Sequence, residues 1–115
     1  MHTTMHADTS VKIWGGKRED YQQIHDWFDE TKEHFCDFRH RALRHHSQGI
    51  FEAERKFGLT IINSDGKSVP VRYIGEQHIM EDCGGKIPTL QDWLESFTPK
   101  PWMNMKFTIQ GKWNR

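Results

Sequence analysis

TKEHFCDFRHRALRHHSQGIFEAERKFG, from Thr31 to Gly58, is the stretch whose reading decides the fold. It contains no proline, and Gly49 is its one internal glycine before Gly58. Phe35, Phe38, Ala42, Gly49, Ala53 and Phe57 recur at steps of three, four and seven, which lines them along one face of a helix, with His46 on the same seam. Cys36, Leu43 and Phe51 give a second, weaker apolar face that includes His40. A helix apolar on two sides is expected at the centre of a domain. Four of the chain's eight histidines, His34, His40, His45 and His46, lie within it.

Shorter elements are expected around this rod. Residues Met1 to Ser10 read as a polar arm, mobile unless His2 or His6 is tied down. After Gly15-Gly16 a first helix is expected from about Arg18 to Phe28, with Tyr21, Ile24, Trp27 and Phe28 inward, and Asp29 as a cap before the long helix. Beyond Gly58, Leu59 to Ile62 reads as a strand and Asn63-Ser64-Asp65-Gly66 as a turn. Lys67 to Tyr73 reads as the returning strand, at an edge because of Pro70. Gly75 to Asp82 reads as a short helical or turn segment, and Leu90 to Phe97 as a helix burying Trp93, Leu94 and Phe97. The alternation of Met105, Phe107 and Ile109 predicts a strand in the 103–115 tail that pairs within this chain or with a partner. The expectation is one α+β domain over 1–115, helix-dominated, with a long central helix and one β-hairpin.

Composition narrows the function classes. Lys+Arg and Asp+Glu are both 16, so the chain lacks the excess cationic charge on which general nucleic-acid coating depends. Arg39, Arg41 and Arg44 form a local basic cluster, but they spread over more than half the helix circumference and read as solvated arginines paired with carboxylates. Cys36 and Cys83 lack CxxC spacing and read as reduced thiols. No apolar run approaches the ~20 residues of a membrane span, and no signal-peptide hydrophobic region opens the chain, so a cytoplasmic protein is expected.

The chemistry-bearing residues are histidines and acids. His78 and Asp82 are spaced i,i+4, as are His25 and Asp29, and Asp37 and His40 are spaced i,i+3. There is no HExxH or CxxC motif, so any metal has to be assembled across elements. The expected ligands of a divalent metal, zinc foremost, are His46, His78, His40, His25 and Asp82. Glu76 or Glu81 stands as base for a metal-bound water. A histidine on an apolar seam is more often a hydrogen-bonded core residue than a ligand, and local pairs such as His25 and Asp29 also stabilise a bare helix. A Cys36–His40 nucleophile lacks an oxyanion hole, and a His46, Asn63, His78 nuclease fails because His46 is expected mid-helix.

Several ordered motifs carry a resemblance. Ile24-His25-x-Trp27-Phe28-Asp29, Asp37-x-Arg39-His40-Arg41-Ala42-Leu43-Arg44-His45-His46, Asn63-Ser64-Asp65-Gly66-Lys67, Val69-Pro70-Val71-Arg72, Glu76-Gln77-His78, Glu81-Asp82 and Ile87-Pro88-Thr89 resemble a family of small uncharacterised histidine-rich proteins. Those proteins occur in bacteria and tailed phages and share a domain of unknown function. The resemblance runs from about Trp14 to Trp102 and implies a phage or prophage source without implying an activity. Two function classes follow: metal binding, with metal-dependent hydrolysis as its chemistry, or a non-enzymatic accessory protein. The second would bind a host protein or nucleic acid, or self-associate through its C-terminal tail.

Overall fold

The computed structural model describes residues 1–108. Among them are six α-helices: α1 Thr3–Trp14, α2 Arg18–Asp29, α3 Arg41–Arg44, α4 Ser47–Phe57, α5 Val71–Asp82 and α6 Leu90–Leu94. Strands β1 Thr60–Ile62 and β2 Ser68–Pro70 form one antiparallel hairpin, and 3₁₀ turns occupy Glu30–Glu33, Phe38–His40 and Pro101–Asn104. The class is helix-dominated α+β, as expected. Its centre is not the expected one.

The 31–58 stretch is broken rather than continuous. His45 adopts φ −86°, ψ 65° and His46 φ −160°, ψ 173°, so no helix passes through them. Side chains compete with the helical ladder here. Asp37 accepts from Arg39 N at 3.0 Å, and His46 Nδ1 caps α4 by accepting from Gly49 N at 3.1 Å. The first part of the expected seam is not core: Phe35 and Phe38 are exposed, as are Leu43 and Phe51 of the second face, whereas His46, Gly49 and Ala53 are buried with Ile50 beside them. Gly49 is a packing requirement rather than a weak point. A Cβ there would stand 1.8 Å from the carbonyl oxygen of Arg44, where the chain folds back onto α4.

The centre is formed by α2 and α5, with α1 and α4 packed against them. On α2, Tyr21, Ile24, Trp27 and Phe28 are buried as expected. In the first residues both histidines are tied down: His2 Nδ1 accepts from Thr4 N at 3.2 Å, His6 Nδ1 meets Glu81 Oε1 at 2.9 Å, and α1 starts at once with His6, Ala7 and Ser10 buried. The hairpin turn is locked by Asn63, whose Oδ1 accepts from Asp65 N and Lys67 N at 3.0 and 2.9 Å, with Gly66 at φ 81°. Asp20, near the start of α2, clasps the same turn by accepting from Ser64 N and Oγ at 2.8 Å.

Strand β2 stops at Pro70 instead of running to Tyr73. Pro70 has the extended conformation of an N-cap, and α5 begins at Val71. Alternation of Val69, Val71 and Tyr73 imitates a strand, but Val71, Ile74, Gly75, His78 and Ile79 are the residues buried, at helical spacing. Gly75 brings α5 close to α2: a Cβ there would meet Phe28 Cζ at 3.0 Å. Helix α6 is shorter than expected. Thr89 and Asp92 cap its start reciprocally at 2.9 and 3.1 Å, yet Leu94 and Phe97 are exposed, and Trp93 is half-buried with Nε1 donating to the carbonyl of His45. Met105 and Phe107 have no strand conformation, and Ile109 lies outside the described residues.

Replacing Gly49 by alanine forces backbone apart at the α3–α4 junction, because the obstructing atom is a carbonyl oxygen. A loss on the order of 2–4 kcal/mol is expected from urea unfolding. An unchanged midpoint would contradict the close approach.

Candidate metal centre

Three helices each bring a pair of polar side chains spaced i,i+4 to one buried point. They are His6 and Ser10 of α1, His25 and Asp29 of α2, and His78 and Asp82 of α5. That spacing puts both members of each pair on one face, about one helical turn apart. Gln77 and Glu81 of α5 flank them, and the break after α3 adds His45. The side chains of His6, His45 and His78 are wholly buried; those of Asp29 and Asp82 are 5% and 3% exposed.

Hydrogen-bond partners assign the protons. Gln77 Nε2 donates to the carbonyl of His6 at 2.8 Å and to Glu81 Oε1 at 2.6 Å, which fixes its Oε1 on the other side. Ser10 Oγ therefore gives its single proton to an oxygen that can only accept, Gln77 Oε1 at 2.6 Å or the carbonyl of His6 at 3.2 Å. His25 Nε2, 2.8 Å from Ser10 Oγ, has to be the donor in that contact. A neutral His25 then has a bare Nδ1, and His78 Nδ1 donates to it at 2.9 Å. What remains of His78 is Nε2, facing Asp29 Oδ1 at 3.1 Å and Asp82 Oδ2 at 3.3 Å. A bare nitrogen lone pair opposite two carboxylates is favourable only with a positive species between them or a second proton on the ring.

His6 repeats the pattern. Its Nδ1 lies 2.9 Å from Glu81 Oε1, a carboxylate that can only accept, so Nε2 is left to face inward. Nε2 lies 3.2 Å from Asp82 Oδ1 without hydrogen-bond alignment, and both atoms are buried with no hydrogen-bond partner. The His6 and His78 rings stack with centroids 3.9 Å apart, so protonating both would set two cations face to face.

The electrostatics favour carboxylates in need of a cation. Burial pushes the Asp29 carboxyl up, and positive charge on the side of His45 and His78 outweighs it and holds it well below the usual range, a charge that a bare His78 Nε2 leaves to a bound cation. Asp82 behaves alike, with burial overcome by His45, His6 and His78. Burial lowers the His6 pKa, yet Asp82 and Glu81 raise it on balance. His25 is pushed down to about 2, by burial first and then by His78 and His6, and stays neutral.

His6, Asp29, His78 and Asp82 each offer a donor atom within 4.8 Å of the others, a set that could hold a metal ion. Bonds of about 2.0–2.1 Å place tetrahedral donors about 3.3 Å apart. His78 Nε2 lies 3.1 Å from Asp29 Oδ1 and 3.3 Å from Asp82 Oδ2, which fits that spacing, and His6 Nε2 lies 3.2 Å from the other oxygen of Asp82, Oδ1. His6, His25 and His78 form a second grouping, although both nitrogens of His25 are committed to hydrogen bonds. Asp29, His40 and His45 form a third.

The expected ligands divide accordingly. His78, Asp82 and His25 come together, and His40 sits at the edge near His45, 5.4 Å between ring centroids. His46 stands apart: its Nδ1 caps α4 and its Nε2 lies 3.2 Å from the carbonyl of Leu43. Glu81 meets His6 rather than open space. Glu76, two residues before His78, projects about 200° round α5 from it. The three arginines make no basic stripe. Arg39 pairs with Asp37, Arg41 donates to the carbonyl of Asp82, and Arg44 donates to that of Trp27 while lying over its indole.

Sequence reasoning left out His6, Asp29 and His45 as ligands. The i,i+4 pairing of His6 with Ser10 was a usable signal; the role of His45 depended on a break that the apolar periodicity conceals. Replacing Ser10 by alanine leaves Gln77 Oε1 and the Nε2–H of His25 short of a partner. A loss of about 1–3 kcal/mol is expected in urea with chelator present. An unaltered midpoint would mean that the Ser10 hydroxyl does not order this network.

No curated protein and no solved structure matches the chain. The family model for the domain of unknown function DUF6915 matches residues 1–103, and the chain belongs to that family.

Proposed function

We propose that this chain is a divalent-metal-binding protein whose ion is held by His6 Nε2, His78 Nε2, Asp29 Oδ1 and Asp82 where α1, α2 and α5 meet. The observation that carries this reading is the inward-facing Nε2 of His78, whose own Nδ1–H is committed to His25. Two imidazoles and two carboxylates suit zinc. The outer partners are those that metal-bound histidines require: Glu81 on His6, and His25, itself set by Ser10, on His78. Four protein donors make a closed set, the arrangement of a structural ion. Such an ion fastens α1 to α2 and α5, with Glu81 orienting a ligand instead of acting as a free base.

Zinc at one hundred times its dissociation constant is expected to stabilise the fold by about 2.7 kcal/mol. Elemental analysis after zinc loading and dialysis should find bound metal that His78→Ala and Asp82→Asn lose and that His46→Ala keeps. A wild-type protein free of metal, or equal metal in His78→Ala, would refute the assignment.

A second reading, self-association through the C-terminal stretch, draws support from the exposure of Trp102, Met105 and Phe107. Light scattering should then give a mass above 13.7 kDa that falls to the monomer value in Trp102→Ser/Phe107→Ser. A monomeric wild-type chain would remove this reading.

A further inference from the structure

Beside the four-donor set lies a smaller one with its own proton logic. Thr31 Oγ1 donates to the carbonyl of His40 at 3.2 Å, which commits its only proton. With that proton on the carbonyl, the ring donates the 3.0 Å contact between His40 Nδ1 and Thr31 Oγ1, and a neutral His40 presents a bare Nε2. His45 Nε2 stands 3.5 Å from Asp29 Oδ1 and 2.9 Å from Asp82 Oδ2, while its Nδ1 is buried with no hydrogen-bond partner. Asp29 Oδ2 is likewise buried without a hydrogen bond, its nearest cation being Lys32 Nζ at 3.5 Å. Asp29, His40 and His45 each bring one donor atom within 4.8 Å of the others.

We infer that Asp29, His40 and His45 form a second divalent-cation site, adjacent to the first, with the Asp29 carboxylate shared between the two ions. The inference rests on the four-donor reading above and extends it. The two sites differ in kind. The first has four protein donors; the second has three, which leaves a coordination position for water or a substrate oxygen. It also borders the exposed residues 32–39 instead of the helical core. Two-metal sites hold their ions about 3.5–4 Å apart, a separation the shared Asp29 carboxylate can span. Metal-dependent hydrolysis belongs at the second ion, with the first as its anchor. The chemical class of ligand is an oxyanion or ester oxygen that takes the open position of the second ion.

Metal counting separates this inference from the one beneath it. Chelator-treated protein loaded with Mn²⁺ and dialysed is expected to retain two ions per chain, with an exchange-coupled paramagnetic resonance spectrum. His40→Ala and the milder His40→Gln should retain one, uncoupled, with the helical circular dichroism unchanged. One ion in wild type, undiminished in both variants, overturns the second site and leaves the first standing. No retained ion overturns both. The coupling measured on wild type decides the question even if His40→Ala does not fold.

Discussion

The orientation of one amide governs the polar interior. Gln77 is caught between two acceptors, the carbonyl of His6 and the carboxylate of Glu81, so its oxygen has one way to point. That direction determines where the Ser10 proton goes, which tautomer His25 adopts, and which nitrogen of His78 is left for the carboxylates of Asp29 and Asp82. The links from Gln77 through Ser10 and His25 to His78 Nδ1 are hydrogen bonds between largely buried groups, where an unmade partner costs about 1–3 kcal/mol, so the tautomers are selected by satisfaction of the whole chain of contacts. A buried acidic pair facing unprotonated imidazole nitrogens is the electrostatic outcome, and a cation is what that outcome favours.

The backbone architecture serves this arrangement. Gly75 admits the Phe28 ring against α5, and Phe28 in turn stacks on His78 with centroids 5.1 Å apart, forming an apolar floor under the imidazole. Arg41 reaches from α3 to the carbonyl of Asp82 at 2.9 Å, holding the end of α5, and places a cation near a carboxylate-rich site. The fold-back at His45 and His46 delivers His45 to Asp82 while His46 turns away to cap α4. Among the described residues no helix is long and apolar enough to cross a membrane.

Much of the fold was legible because local chemistry and tertiary packing agree. Asn63 to Gly66 forms the expected turn, and Tyr21, Ile24, Trp27 and Phe28 form the expected inner face. Legibility failed where two patterns coincide. Apolar residues at helical spacing persist across the 31–58 stretch although side-chain caps interrupt it, and Val69, Val71 and Tyr73 alternate although α5 has begun. Helix α1 was hidden because His2, Thr3 and Thr4 make an unpromising start, histidine being an uncommon cap. At the site, the spacing of His78 with Asp82 and of His25 with Asp29 was readable, but which imidazole binds and which merely orients is decided by hydrogen bonds between distant segments. The confusion of His46 with His45 shows the scale of the difficulty, since one residue on a helix is about 100° and a single break reverses which neighbour faces inward.

The tautomers themselves offer the most direct measurement. In zinc-loaded protein with ¹⁵N-labelled histidine, long-range ¹H–¹⁵N correlation spectra read the protonation of each ring nitrogen separately. The account predicts Nδ1–H with unprotonated Nε2 for His6, His40 and His78, and Nε2–H for His25 alone among the four. A His78 ring protonated at Nε2 would contradict it at its root, because no cation could then be held at that atom.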